Sequence, residues 1–169
     1  GSLRKPGRWG ETLGTAAPIL LVAVGTIVSG KAGLINIGQE GQLLVGAAFG
    51  TYFGFLIGGP GPFNLVVIVL FGALGGALWA GVAALLKFWR DVPEVLSTLL
   101  LVAVGGQLVA YGLSQSWLLL APLGDRGNRN QVSKQLPKDN RLPRLEVFGN
   151  EIPLAVFIAI LSAIVISLL

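Results

Sequence analysis

The sequence has no cysteine, no histidine and no methionine, and only 12% of its residues are charged. Without cysteine there can be no disulfide, thiolate nucleophile or cysteinyl metal site. Without histidine, imidazole base catalysis and the commonest metal ligand are also gone, so neither a metal nor another cofactor is expected. Methionine is missing even at the first position, where the chain reads Gly1-Ser2. The sequence therefore reads as a piece of a longer or processed product, with Gly1-Ser2 as a cloning scar. A soluble domain carries about 25% charged residues, roughly twice the supply here. The net charge of +4 and pI near 9.9 raise the question of nucleic acid. The basic residues, however, sit in short loops and one polar segment rather than along a helix face, so no nucleic-acid partner is expected.

What the chain does have is apolar sequence in long blocks. Hydrophobic residues make up 53% of it and the mean hydropathy is +0.77. Several runs reach the length of about 17–25 residues that a helix needs to cross a bilayer. Arg4, Lys5 and Arg8 ahead of the first run mimic a signal peptide, but no small-residue cleavage site follows and four more apolar runs do. The expected fold class is all-α, a polytopic membrane helix bundle of about five spans. These are Thr12–Ser29 with a kink at Pro18, Gln39–Gly58, Phe63–Leu86, Val92–Leu113, and Ile152 to the end. Gly58-Gly59-Pro60-Gly61-Pro62 breaks the second span, and Asp91 with Glu94 offers a capping box for the fourth. A polar stretch, 114–151, precedes the fifth. Trp9, Trp79, Trp89 and Trp117 all fall near expected span ends, where interfacial tryptophans gather.

The second span carries Gly46, Gly50, Gly54 and Gly58 at intervals of four, and the third carries Gly72, Gly76, Ala80 and Ala84. Such small-residue faces let helices approach closely in lipid. Gly46, Gly50, Gly54, Gly72 and Gly76 are therefore read as helix-packing positions.

Between the first two spans, Gly25, Gly30 and Lys31 stand at the spacing of a phosphate-binding loop. Ala32 follows the lysine where a magnesium-binding hydroxyl is required, and no strand–helix alternation surrounds it, which argues against ATP binding. What remains is a helix break near residues 31–42. Gly33-Leu34-Ile35-Asn36 reads as irregular chain. Asn36 is a candidate N-cap, with Gln39 at the third helical position completing a capping box. Glu40 and Gln42 then enter the first turn of a membrane helix, where an acid costs about 2.5–3.5 kcal/mol at the centre on insertion scales. Such residues persist where backbone lines a cavity or a solute path.

"AGLINIGQEGQLLVGA" resembles the signature of permease subunits of bacterial ABC importers for nucleosides and simple sugars, within the branched-chain amino acid and ribose permease superfamily. "TLGTAAPILL" resembles the span before that signature. "LLKFWRDVPEVLSTLLL" is similar to the family's lysine-containing cytoplasmic turn, and "RLPRLEVFGNEIPLAVFIAI" to its re-entry after an outer loop. The resemblance covers residues 11 to 169. It departs at Leu101-Val102-Ala103, where the family commonly reads Leu-Asn-Tyr, and at Pro93 before Glu94; Gln107, one turn on, could take the place of the missing asparagine or serve as an interhelical hydrogen bond.

The resemblance implies a partial ABC-importer transmembrane domain over 1–169 in the cell membrane, a transport subunit without enzymatic chemistry of its own. Its implied partners are ABC ATPase subunits, a second permease subunit and an extracytoplasmic substrate-binding protein. Asn36, Gln39, Glu40 and Gln42 are the candidate pathway or gate residues, followed by Ser97, Thr98 and Gln107. Glu40 would either meet a ribose hydroxyl or clamp the broken helix. The rival readings are half of a channel or secondary transporter, which ATP-dependence of uptake would distinguish, and a non-transporting membrane scaffold. Sidedness pits two rules against each other. Counting positive charges puts Arg126, Arg129, Lys134, Lys138, Arg141 and Arg144 inside with Arg4, Lys5 and Arg8. The resemblance instead puts the Lys87–Arg90 turn inside and 114–151 outside, and that assignment is preferred because the basic-residue count covers only part of a permease.

Overall fold

The computed structural model describes residues 8–115, 117–119, 135–137, 140–147 and 150–168. It divides into two compact units, one formed by Gly1–Ile35 with Leu142–Leu169 and the other by Asn36–Arg141.

The first unit holds helix α1 (Arg8–Lys31), a hairpin of β1 (Arg144–Val147) and β2 (Asn150–Pro153), and helix α5 (Leu154–Leu168). Helix α1 continues through Pro18 without a break, with Glu11 in its first turn and Lys31 in its last. Both charges complement the helix dipole. Helices α1 and α5 run parallel. Near their starts, a Cβ on Gly14 would lie 3.0 Å from the Pro153 ring, and further along Ala17 is buried with Val156 and Ala159. At their ends the Lys31 ammonium donates to the Ile166 carbonyl, 3.2 Å away. That carbonyl lies in the last turn of α5, where intrahelical donors run out, so Lys31 serves both helix ends.

The hairpin pairs Leu145 with Ile152 and Glu146 with Glu151 in antiparallel register. Its Arg144–Glu151 ion pair, 3.5 Å and well exposed, contributes little in water. The hairpin backbone is instead held at Gly10, where any side chain would run into the Glu151 carbonyl. Strands were not expected here. Ile152 and Pro153, placed in the fifth span by hydropathy, belong to β2, and α5 begins only at Leu154. Of the rest of segment 114–151, residues 120–134 and with them Arg126, Arg129 and Lys134 lie outside the described residues, as do Lys138, Arg4 and Lys5.

The second unit is built from α2 (Gln39–Ile57), α3 (Gly61–Arg90) and α4 (Glu94–Ser114). Helix α2 ends as the breaker implies, with Gly58 at φ 62° and Gly59 at φ 114°. Pro60 then caps α3. The two helices return antiparallel along the glycine ladder. A Cβ on Gly46 would lie 2.7 Å from the Gly72 carbonyl oxygen, and one on Gly50 2.5 Å from that of Ile68. At Gly54 it would lie 2.5 Å from the Ile68 side chain. From the other side, Gly72 faces the Gly46 carbonyl and Gly76 the Gln42 carbonyl, at 3.4 and 3.3 Å. Phe53 stacks on Phe71 with centroids 4.1 Å apart, filling the flank of the same interface.

One sequence expectation changes. Asp91 is the left-handed C-cap of α3 (φ 54°), and Pro93 is the N-cap of α4 without a side-chain hydrogen bond. Glu94 meets Lys87 of α3 in an ion pair instead of completing a capping box. The proline explains the change, because its ring keeps the residue before it out of helical backbone and leaves Asp91 two residues ahead of the N-cap. The five expected apolar runs form the five helices α1 to α5. Among the described residues, three of them are by length and composition able to cross a membrane, Gly10–Lys31, Gly61–Arg90 and Glu94–Ser114, while α5 is shorter.

Gly50→Leu should force α2 off the Ile68 carbonyl and reduce folded, detergent-stable protein by overpacking of roughly 1–3 kcal/mol. The like-sized change Ile57→Leu, at an exposed position, should leave it unchanged. Size-exclusion recovery after a thermal ramp would read the difference, and equal recovery would show that the ladder does not carry the contact.

Candidate functional site

Helix α1 stops at Lys31, Gly33 turns in the left-handed region (φ 74°), and residues 34–38 have no regular structure before α2 starts. Gly25 and Gly30 lie inside α1 and Lys31 is occupied at the end of α5, so the phosphate-loop spacing is incidental.

The break is closed by side-chain amides. Asn36 was expected as the N-cap, but Gly38 holds that position and has no side-chain cap. The Asn36 carbonyl oxygen of the side chain accepts from the Gly38 N–H at 2.8 Å, a local turn that competes with helix and delays its start. The Gln39 amide donates to the Asn36 backbone carbonyl at 2.6 Å. Asn36 and Gln42 exchange a reciprocal amide pair, 3.4 Å from Asn36 Nδ2 to Gln42 Oε1 and 3.3 Å from Gln42 Nε2 to Asn36 Oδ1.

Helix α4 completes the seat. Ser97 and Thr98 are buried, and both hydroxyls donate to the Glu94 carbonyl, at 3.1 and 2.7 Å. The Thr98 hydroxyl also accepts from the Ile37 N–H at 3.4 Å. A Cβ on Gly38 would lie 3.1 Å from the Thr98 Cβ, so the glycine admits α4 to the break.

The structure thus gathers Asn36, Gln39, Gln42 and Thr98 into one network, with Ser97 beside it. Glu40 and Gln107 stand apart. Glu40 is exposed on the first turn of α2 and Gln107 is exposed on α4. The clamp considered for Glu40 is made by the neighbouring amides.

Sequence reading did not single out three features of this unit. Trp79, assigned to an interfacial belt, lies about three turns inside the end of α3, and its indole N–H donates to the Leu101 carbonyl at 3.2 Å. The exposed Trp89 and Trp117 fit an interface better, and the Trp9 side chain lies outside those described. Asn64 is 2% exposed, and its side-chain oxygen has no hydrogen-bond partner among the described residues. A lone asparagine in the run Phe63-Asn64-Leu65-Val66 was the available signal. An apolar cavity of about 550 Å³ opens between α2, α3 and α4, lined among others by Phe49, Tyr52, Trp79, Leu108 and Leu119.

A helix break between apolar helices, held by amides, is architecture shared by many transporters, so kinship decides the family. Residues 10–169 match the family described as branched-chain amino acid transport system / permease component. The chain belongs to this permease family. It is 38% identical over 125 residues to a glucose ABC transporter permease protein of Haloferax volcanii, covering 73% of this chain and 31% of that relative. It is 28% identical over 158 residues to a guanosine ABC transporter permease protein of Bacillus subtilis, covering 92% and 43%. A nucleoside ABC transporter permease protein of Lactococcus lactis subsp. cremoris is 32% identical over 93 residues, covering 54% and 26%. The chain spans less than half the length of these curated relatives. No solved structure matches it. The apolar helices and the permease family make this a membrane protein.

Proposed function

We propose that the chain forms part of the solute pathway of an ATP-driven importer for nucleosides or simple sugars in the cell membrane. It carries out no chemistry itself; ABC ATPase subunits supply the energy, a substrate-binding protein delivers solute from outside, and a second permease subunit completes the path. The observation that carries this reading is the amide network at the α1–α2 break beside an exposed Glu40. The break needs no help from Glu40, and carboxylates on membrane helices are rare and gather where the bundle interior or a water-filled cavity receives them. Its face of α2 therefore meets a polar path. The relatives named for glucose, guanosine and nucleosides share hydroxyl-rich solutes, and a carboxylate accepts from hydroxyls strongly.

The family resemblance puts the Lys87–Arg90 turn inside and the segment 114–151, which includes β1, outside.

In the complete permease, Glu40→Leu should abolish ATP-dependent uptake while membrane insertion is retained, and Glu40→Gln should keep part of it. Normal uptake by the leucine variant would remove Glu40 from the path, and uptake independent of ATP would favour a channel or secondary transporter. For sidedness, a cysteine at the exposed Glu146 should react with an impermeant maleimide on intact cells. A cysteine at Trp89 should react only after the membrane is opened, and the opposite pattern would invert the topology.

A further inference from the structure

One side chain reaches the frame of the amide network from α3. The Trp79 indole N–H donates to the Leu101 carbonyl of α4, and two glycines make that approach possible. A Cβ on Gly105 would lie 3.4 Å from the indole nitrogen. One on Gly41 would lie 3.3 Å from the same nitrogen, 3.1 Å from the Leu101 carbonyl oxygen and 3.0 Å from the Val102 Cα. Gly41 sits between Glu40 and Gln42, so the indole fixes α4 against the turn that carries both.

The surroundings make this contact consequential. Trp79 also lines the apolar cavity between α2, α3 and α4, so one ring both borders that cavity and bonds to α4. The Leu101 carbonyl keeps its intrahelical donor without the indole, but inside a membrane no water replaces a lost partner for the indole N–H. The next residues that join α4 to the break, Thr98 and Ile37, lie one turn from Leu101 and four residues from Gly41. A shift of α4 at the indole is therefore a shift of the seat for Asn36 and Gln42.

We infer that Trp79 is a positioning residue for the solute pathway, setting through Leu101 and Gly41 the geometry of the Asn36–Gln42 network without touching solute. This rests on the pathway reading above. Phenylalanine at position 79 keeps most of the ring and removes the N–H. Alanine at Gly105 leaves the tryptophan intact and adds a methyl 3.3 Å from the Val45 side chain, 3.4 Å from the indole nitrogen and 3.5 Å from the Gly41 Cα, wedging α4 at the same contact.

The test uses the complete transporter and two readouts, uptake as a function of solute concentration and the maleimide reaction rate of Ile37→Cys. The chain has no cysteine of its own, and Ile37 is exposed while its N–H marks the junction with α4. Trp79→Phe should raise the KM for uptake about fivefold, the factor a single neutral hydrogen bond is worth, with a smaller change in maximal rate. It should also change the thiol reaction rate. Gly105→Ala should move both readouts in the same direction and carries the test if Trp79→Phe does not fold, and Val69→Ile, an exposed change on α3, should move neither. Unchanged thiol rates in Trp79→Phe and Gly105→Ala would overturn the inference, even with a raised KM, because Trp79 would then act on solute directly. Gln42→Ala separates the two claims. If it leaves uptake intact the pathway reading fails, and the thiol rate alone decides whether Trp79 positions the network. If it impairs uptake while Trp79→Phe moves neither readout, the reading stands and the inference falls.

Discussion

Contact between helix backbones across α2 is the constraint on which the second unit depends. Lipid tails are as apolar as leucine, so helices in a membrane gain little from hiding hydrophobic side chains from each other, and close packing decides instead. Gly46, Gly50 and Gly54 bring α2 onto the carbonyls and side chain of α3 at distances that a methyl group would not permit. Gly38 and Gly41 do the same toward α4. With two sides of α2 committed in this way, its rotation is fixed. The direction that remains is the one bearing Glu40.

The break before α2 follows from the same economy of backbone partners. A chain that leaves helical geometry inside a membrane must satisfy its amides without water. Here Asn36 supplies the acceptor for Gly38, Thr98 that for Ile37, and Gln42 ties the asparagine side chain to the new helix. The first unit solves the corresponding problem at its helix ends with a single lysine, whose ammonium reaches the last turn of α5. In both units a polar side chain is used where the intrahelical ladder stops.

Much of this was legible in residue order. Apolar run lengths located the helices to within a few residues. The Gly58–Pro62 breaker marked the α2–α3 turn, and glycines spaced by four lie along the α2–α3 contact. The irregular chain after Lys31 and the grouping of Asn36, Gln39 and Gln42 could also be read, because their spacing is local. Contacts between distant segments could not. Nothing in the spacing of Trp79 distinguishes an indole bonded to α4 from one at an interface. Asn36 and Gly38 are equally good caps until the Asn36 side chain is seen bonded to the Gly38 N–H. The hairpin was hidden because Leu145, Val147 and Ile152 alternate over strands only four residues long, next to an apolar run that absorbs Ile152.

Amide hydrogen exchange of the membrane-embedded protein with and without Asn36→Ala tests the amide-closed break most directly. If Asn36 closes the break, the substitution accelerates exchange at Gly38 and at Ile37 beside it, and leaves Leu43 to Ile57 of α2 as slow as before. Equally slow exchange at Ile37 and Gly38 in both proteins would mean that the helix runs on through this segment, and the polar network as described would not exist.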